Sequence, residues 1–186
     1  MASRLTDDER QALRTRYRRE RNERYMKHSF EYLATSPEFS QAKVIASYMS
    51  YGDEPDTHQL NAALISAGKV VLLPRINGDA IDWVQWNGEV GSLQKQKKIL
   101  EPSGPVFTDI GKIEVVVVPA LRIDRRGYRL GQGGGYYDRA LPKLAAWSIG
   151  LIHPDEISRE DLPREPWDHP LFAAATPDIT LRFKKI

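Results

Sequence analysis

The sequence predicts an α/β protein, a single three-layer α/β/α domain with a mostly parallel central sheet. Short, nearly continuous apolar segments alternate along the chain with segments of helical propensity, a pattern typical of parallel strands covered by helices on both faces. The chain has 186 residues, of which 41% are hydrophobic, and this suits one domain with a sizeable core. Residues 1–186 are therefore expected to form one domain, with 1–35 as a basic N-terminal helical segment.

The first half of the chain predicts a long helix, then strands with one more helix among them. Thr6 and Glu9 have the spacing of a capping box, so the first helix is expected to begin there and to run to about Leu33. A second helix is expected to stop at Gly68, and Pro74 is expected to close the strand that follows it. The strands predicted in this half are residues 44–51, 69–76 and 81–86.

In the second half, the strongest strand prediction is residues 112–121, KIEVVVVPAL, which contain four consecutive valines. A further strand is expected at 146–152. Ligands of such sheets bind beyond the carboxyl ends of the strands, so the site is expected in the segments that follow those ends. Each of these segments carries charge, and they are residues 51–54, 74–77, 119–138 and 152–156.

Composition excludes several classes of protein and site. The absence of cysteine excludes disulfides, thiolate catalysis and Cys-ligated zinc, and it fits a reducing compartment. No run approaches the roughly 18 apolar residues of a membrane span, and the N-terminal stretch lacks the apolar core of a signal peptide. A cytoplasmic protein without a membrane partner is therefore expected. The four histidines lack metal-ligand spacing.

The most basic stretch is RTRYRRERNER, residues 14–24. Residues 1–35 carry nine Lys and Arg against six Asp and Glu, a balance of +3 in a chain of net charge +2. Clustered arginines can neutralise the phosphates of a nucleic acid. The favoured interpretation is a solvated helix face in which Glu20 and Glu23 interleave with the arginines. A third is that one or two of these arginines reach a bound polyphosphate.

The stretch RLGQGGGYYDR, residues 129–139, indicates a loop shaped around a charged ligand. Its four glycines let consecutive backbone N–H groups point at one anion, and a helix beginning near Tyr136 would add its positive end. Arg129 can bind phosphate through two hydrogen bonds, and Asp138 can hold a divalent cation. The stretch is neither a P-loop nor a GxGxxG motif. The alternative is an ordinary flexible turn, with Asp138 as a helix N-terminal carboxylate.

The order of residues 123–139, I-D-x-x-G-x-R-L-G-x-G-x-G-Y-Y-D-R, resembles the signature of the 5-formyltetrahydrofolate cyclo-ligase family. Further segments resemble other parts of the family's pattern, and together the resemblance covers about Ser36 to Ile179. These segments are SYMSYGDEPDT (47–57), VLLPRI (71–76), ILEPSG (99–104) and LPREPWDHPLFAAATPDI (162–179).

The resemblance implies an enzyme that uses ATP and Mg²⁺ to convert 5-formyltetrahydrofolate to 5,10-methenyltetrahydrofolate, with release of ADP and phosphate. Transfer of the γ-phosphoryl group to the formyl oxygen would create a leaving group, and the amine N10 would then displace it. The protein would mainly position two ligands and neutralise phosphoryl charge. The expected substrate is the folate with or without a polyglutamate tail, and a monomer is expected. The alternatives are a non-catalytic relative that binds folate or nucleotide and a nucleic-acid-binding protein that uses the basic helix, with nucleic acid the least favoured partner.

The resemblance also assigns site residues. Asp138 and Asp168 match metal-associated carboxylates. Met49 and Glu54 match the pterin pocket, where a carboxylate can accept two N–H bonds. From its position just after a strand, Arg75 is either a phosphate contact or an ordinary surface arginine. Residues matched to ATP are Arg10, Arg14, Arg129, Leu130, Gly131, Gln132, Gly133, Gly134, Gly135, Tyr136 and Tyr137. Residues expected to face both ligands are Gly133, Gly135 and Tyr136.

Overall fold

The computed structural model describes residues 5–184. Its α-helices and β-strands, in chain order, are α1 (Asp7–Arg24), α2 (Pro37–Gln41), β1 (Val44–Ala46), α3 (His58–Ser66), β2 (Val70–Asn77), β3 (Ala80–Trp86), β4 (Leu93–Gln96), β5 (Ile99–Pro102), β6 (Val115–Pro119), β7 (Arg122–Asp124), β8 (Arg129–Leu130), α4 (Tyr136–Ala140), β9 (Trp147–Leu151), β10 (Ile157–Ser158), β11 (Ala173–Ala175) and β12 (Thr180–Arg182). Short 3₁₀ helices are formed by Glu31–Thr35, Val90–Ser92, Ile110–Lys112 and Leu141–Lys143. Within these described residues, no helix is long and apolar enough to cross a bilayer.

The central sheet has seven strands in the order β12-β11-β9-β6-β1-β2-β3. Its five inner strands, from β11 to β2, run parallel, and an antiparallel strand closes each edge. The predicted mostly parallel sheet is therefore confirmed. The strand expected at 81–86 is β3, an antiparallel edge strand, which explains why polar and apolar residues alternate along it.

The valine run shows how both faces of the sheet are filled. Val115 and Val117 pack on the side of α2, α3 and the turn Glu31–Thr35. Val116 and Val118 pack on the opposite side, with residues of α4 and the segments around it. Because side chains alternate along a strand, four consecutive valines serve two cores at once.

Helix α1 begins as predicted and ends earlier. The Thr6 hydroxyl accepts a hydrogen bond from the Glu9 N–H (3.2 Å), and the Glu9 carboxylate accepts one from the Thr6 N–H (2.7 Å), which is the predicted capping box. The prediction that the helix runs to about Leu33 is wrong, because it stops at Arg24. Phe30 and Leu33 are fully buried in the core beside the sheet instead of continuing the helix.

Two strand boundaries also differ from the prediction. The strand expected at 44–51 ends at Ala46, because the Tyr48 carbonyl accepts hydrogen bonds from the side chains of Thr57 (2.6 Å) and Asn61 (2.9 Å) instead of a neighbouring strand. Pro74 lies inside β2 and does not close it. It is tolerated because the pairing of β2 with β1 ends at Leu72, so no partner on that side needs its missing N–H.

A hairpin of β7 and β8, which is not predicted from the sequence, leads into the glycine-rich loop (residues 131–135). Asp124 is fully buried at the turn, where its carboxylate accepts hydrogen bonds from the N–H groups of Arg126 (2.9 Å), Tyr128 (3.0 Å) and Leu162 (3.0 Å). Gly127 has φ +88°, and a Cβ there would lie 2.6 Å from the Leu171 carbonyl oxygen. The signature residues before the loop therefore build the support that positions it.

Candidate functional site

A cavity of about 270 Å³ lies at the carboxyl edge of the sheet, where the sequence predicts the site. Its walls come from the segment after β1, the end of β2, the end of β6, strand β5, helix α1 and the glycine-rich loop. The lining residues are Arg14, Tyr48, Met49, Tyr51, Glu54, Pro74, Ile76, Ile81, Ile99, Leu100, Pro119, Arg129, Gly131, Gln132, Gly133, Gly134, Gly135, Tyr136, Tyr137 and Asp138.

The glycine-rich loop forms one side of this cavity. Gly133 has φ +109° and Gly135 has φ +68°, conformations that side chains rarely adopt, so glycine is required for the path of the backbone. The Arg139 side chain donates to the carbonyls of Gly134 (2.8 Å) and Asp79 (2.7 Å), which ties the loop to the turn between β2 and β3. Helix α4 begins at Tyr136 as predicted, although its five residues give only a short dipole.

Charged groups gather beside this loop. Arg129 donates to the Asp138 carboxylate at 2.5 Å, and the Arg129 side chain is 6% exposed while that of Asp138 is 36% exposed. Arg14 reaches the loop from helix α1 and donates to the Gly131 carbonyl at 3.2 Å. Burial, with the nearby positive charges of Arg10 and Arg18, lowers the pKa of Arg14. This end of the cavity thus has two arginines, Arg14 and Arg129, and one carboxylate, Asp138. The excess positive charge favours binding of an anion.

The opposite wall presents a buried carboxylate. Glu54 is 7% exposed, and the N–H of Tyr51 donates to it at 3.1 Å. Burial is the main cause that raises the pKa of Glu54 to about 7, although that hydrogen bond and the charge of Arg21 act in the other direction. Burial and the charge of Glu54 also raise the pKa of the Tyr48 and Tyr137 hydroxyls. Both phenols are therefore neutral hydrogen-bond donors at physiological pH.

Several buried polar atoms of the lining have no hydrogen-bond partner among residues 5–184. They are the hydroxyls of Tyr48 and Tyr137 and the Nε atom of Arg129. Leaving such groups unpaired is costly in a folded protein. Three unpaired donors therefore belong to residues that line the cavity.

Helix α1 places a row of arginines against the rest of the protein. Arg10, Arg14, Arg18 and Arg21 follow at spacings of four, four and three, which puts them on one helix face. Arg18 donates to the Gln132 side-chain oxygen (2.9 Å) and carbonyl (2.6 Å). Arg10 pairs with Glu165. The exposed face holds Arg16, which pairs with Glu20, and Arg19, which pairs with Glu23.

Four of the predicted site residues lie outside the cavity lining. Leu130 is 4% exposed and belongs to the support of the loop. Arg75 pairs with Asp82 at 3.8 Å and donates to the Gly104 carbonyl. Arg10 is engaged by Glu165, and Asp168 accepts from the N–H of that same glutamate at 2.7 Å. Arg10 and Asp168 therefore both contact Glu165, and their predicted roles toward ATP and metal stay predictions.

Two lining residues, Tyr48 and Tyr51, and Arg18, which contacts the glycine-rich loop, are not among the residues predicted from the sequence. Tyr48 and Tyr51 fell within a segment predicted as a buried strand, and the early end of β1 turns them into the cavity. The spacing of Arg18 from Arg14 was the available signal, since residues four apart share a helix face. Among residues 5–184, no group of three or more His, Asp or Glu side chains forms a ready metal site.

Comparisons with known proteins agree with this geometry. A model of the 5-formyltetrahydrofolate cyclo-ligase family matches residues 3–177. A 5-formyltetrahydrofolate cyclo-ligase from Mycolicibacterium smegmatis is 35% identical over 144 residues, which cover 73% of this chain and 74% of that protein. The protein of the same name from Escherichia coli is 32% identical over 154 residues, 78% of this chain and 84% of its own length.

Solved structures show the same architecture. The structure of 5,10-methenyltetrahydrofolate synthetase from Aquifex aeolicus superposes with a TM-score of 0.72 at 27% identity, over 97% of this chain and 86% of that one. A synthetase from Mycoplasma pneumoniae has a TM-score of 0.56 at 21% identity, over 90% of this chain and 86% of that one, which shows the shared fold.

Proposed function

The chain belongs to the 5-formyltetrahydrofolate cyclo-ligase family, and from that premise we propose that the cavity at the carboxyl edge of its sheet binds 5-formyltetrahydrofolate and ATP side by side. Cyclo-ligase activity itself follows from the family and from the named relatives. The single observation that carries the proposal is that the glycine-rich loop and Glu54 line the same cavity. We also propose that residues 1–186 act as one domain.

The glycine-rich end suits a triphosphate. Its backbone follows a path that only glycine takes easily at Gly133 and Gly135, which leaves N–H groups free of Cβ obstruction. Arg14 and Arg129 add positive charge beside it. The unpaired Nε of Arg129, in a guanidinium that is otherwise bound to Asp138, offers a donor for a phosphate oxygen.

The opposite end suits the polar edge of a pterin. An ionised Glu54 accepts two N–H bonds from an aminopyrimidine face, and Met49 provides an apolar wall. The Tyr48 and Tyr137 hydroxyls lack partners among residues 5–184, so a bound carbonyl or ring nitrogen satisfies them. Tyr137 and Trp83 also make an edge-to-face ring contact, with centroids 6.3 Å apart, which helps to orient the phenol.

The reaction requires the γ-phosphoryl group to meet the formyl oxygen between these two ends. Phosphorylation of that oxygen breaks the bond between the γ-phosphorus and ADP. N10 then attacks the formyl carbon and loses its proton to solvent, and the C–O bond breaks as phosphate leaves. The residues that line the cavity neutralise phosphoryl charge and hold the two ligands in position to react. Charge neutralisation and positioning account for most of the catalysis of phosphoryl transfer. Proximity is therefore the main contribution that we assign to this cavity.

Asp138 is the residue that fits a magnesium ion. Its carboxylate lines the cavity and is partly exposed beside the glycine-rich loop. Magnesium in nucleotide sites takes one or two carboxylates together with phosphate oxygens and waters, so a single lining carboxylate is compatible with it. When bound, the ion neutralises phosphate charge. Asp168 is proposed as a second carboxylate, with Arg10 and Arg14 on the nucleotide side.

The basic run has a role inside the protein, and we propose that this replaces the nucleic-acid interpretation. Arg14 and Arg18 hold the glycine-rich loop, and the buried Arg21 pairs with Glu156. These arginines face the rest of the protein, and the exposed face of the helix carries Arg16 and Arg19, each paired with a glutamate, so little unbalanced charge is left there for a nucleic-acid backbone. A flat response of RNA or DNA binding to salt supports this view, and a steep loss with salt contradicts it.

The test is a reconstitution of the reaction from purified protein. The protein is mixed with 5-formyltetrahydrofolate, ATP and Mg²⁺, and methenyltetrahydrofolate is followed by its ultraviolet absorbance. We expect product only when all three are present, and Asp138→Asn should abolish it while the folate still binds. Folate binding without any product under all conditions supports a non-catalytic relative instead.

A further inference from the structure

His153 anchors the loop that carries Glu54, here called the Glu54 loop (residues 51–57). The His153 Nε2 atom lies 2.8 Å from the Asp53 carbonyl oxygen. A carbonyl only accepts hydrogen bonds, so Nε2 carries the hydrogen and donates it. The residue next to Glu54 in the chain is therefore tied by its backbone to the segment that follows β9.

His153 is itself held in place on several sides. It is 8% exposed, its N–H donates to the Glu156 carboxylate at 2.8 Å, and its carbonyl accepts from the Glu156 N–H at 3.2 Å. The Tyr25 ring meets the imidazole edge-on with centroids 5.7 Å apart. The imidazole therefore has little freedom to release the Asp53 carbonyl.

A buried ion pair fixes Glu156 in turn. Arg21 donates two hydrogen bonds to the Glu156 carboxylate, at 2.8 and 2.6 Å, and the two side chains are 1% and 4% exposed. Arg21 also donates to the Ala120 carbonyl at 2.6 Å, just after β6. The cost of removing both charges from water offsets most of their attraction, so such a pair fixes geometry more than it stabilises.

We propose that His153, held by the Arg21–Glu156 pair, is a positioning residue that sets Glu54 for the folate. This inference rests on the proposed function, since it assigns Glu54 to the substrate. It makes the basic helix α1 a shared support: Arg18 holds the glycine-rich loop, and Arg21 holds the Glu54 loop through Glu156 and His153. The charge of Arg21 also acts to lower the pKa of Glu54, which favours its acceptor form.

The test compares variants of His153 that keep or remove the donor. His153→Leu keeps the bulk and removes the donor, His153→Ala is a second donor-free form, and His153→Gln restores an N–H at similar reach. His28→Leu is the matched control, since its ring lies 6.3 Å from that of His153 in the same region. All of these leave the Arg21–Glu156 pair intact. For the donor-free variants we expect KM for 5-formyltetrahydrofolate to rise about tenfold, with KM for ATP within about twofold.

His153→Gln should recover most of the loss, and His28→Leu should behave as the unaltered protein. Backbone hydrogen exchange in residues 51–57 should accelerate in the donor-free variants without ligand. Unchanged exchange and an unchanged KM for folate would overturn the proposal, as would equal rises in both KM values or a loss that glutamine does not reverse. If the unaltered protein makes no product, the proposed function fails, whereas the exchange measurement still decides whether His153 anchors the loop.

Discussion

Replacing Glu54 by glutamine gives the sharpest test of how burial shapes this site. Glu54 is 7% exposed, and burial raises its pKa from an ordinary value near 4.5 to about 7. The folded protein therefore binds this proton more tightly than the unfolded chain does. The free energy of unfolding that depends on this proton is fully present below about pH 4.5 and is lost as pH rises through about 7.

The size of the effect follows from the two pKa values. Each unit of pKa difference corresponds to about 1.4 kcal/mol, so a rise from near 4.5 to about 7 amounts to about 3 kcal/mol when the carboxyl is fully ionised. Between about pH 5 and about pH 8.5, about 2.5 kcal/mol of this should be lost. Glutamine carries no titrating proton, so Glu54→Gln should escape that loss.

Urea unfolding at both pH values, without ligands, measures the difference between the two proteins. The stability of Glu54→Gln relative to the unaltered protein should rise by about 2.5 kcal/mol from the lower to the higher pH. Met49→Leu is the matched control, because it changes the same cavity without changing charge. A difference between the glutamate and glutamine proteins that stays constant with pH would refute the reasoning.

The same titration should appear in catalysis. The ratio kcat/KM for 5-formyltetrahydrofolate reports groups of the free enzyme, so it should rise with pH until Glu54 ionises at about 7. Glu54→Gln should lose that rise and bind the folate roughly 10- to 100-fold more weakly, because it lacks charge-assisted hydrogen bonds. A variant that keeps the rise would place the titrating group elsewhere.

Three further substitutions probe the nucleotide end of the cavity. Asp138→Asn should lower kcat at least about 100-fold while folate affinity, measured by calorimetry, stays within about twofold. Arg18→Ala loses both hydrogen bonds to the glycine-rich loop and should raise KM for ATP several-fold, whereas the exposed Arg19→Ala should not. Gly135→Ala must adopt φ +68° and should weaken ATP binding about tenfold, with Gly91→Ala, which meets no atom within 4 Å, as its control. If Arg18→Ala and Arg19→Ala, or Gly135→Ala and Gly91→Ala, changed the binding of ATP equally, the proposed role of the glycine-rich loop would be contradicted.

The parts of the fold that repeat a local pattern could be predicted from the sequence. The valine run of β6, the alternation of β3 and the capping box at Thr6 each follow from neighbours in the chain. The glycine-rich loop could also be predicted from the sequence, because several glycines close together allow backbone conformations that other residues rarely adopt. The match of Glu54 to the folate pocket came from the order of the family's motifs. The structure places Glu54 and the glycine-rich loop in the lining of the same cavity.

The remaining features depend on contacts between distant segments. In the sequence, Arg21 cannot be distinguished from the other arginines of a polar helix. Its burial depends on Glu156, which lies 135 residues further along the chain. Helix α1 ends at Arg24, and the following residues Phe30 and Leu33 are buried against the sheet. Helix propensities describe local preference only and cannot predict this burial. The sequence around His153 shows no metal-ligand spacing and no other local signal, and its hydrogen bond to the Asp53 carbonyl joins segments 100 residues apart.

The central claim is that one cavity brings the γ-phosphoryl group to the formyl oxygen, and an isotope measurement tests it most directly. The substrate is prepared with oxygen-18 in the formyl group, cyclised by the protein with ATP and Mg²⁺, and the released phosphate is examined by phosphorus NMR. We expect one labelled oxygen in each phosphate released, in step with methenyltetrahydrofolate formed. Unlabelled phosphate, or phosphate released without ring closure, would contradict the account.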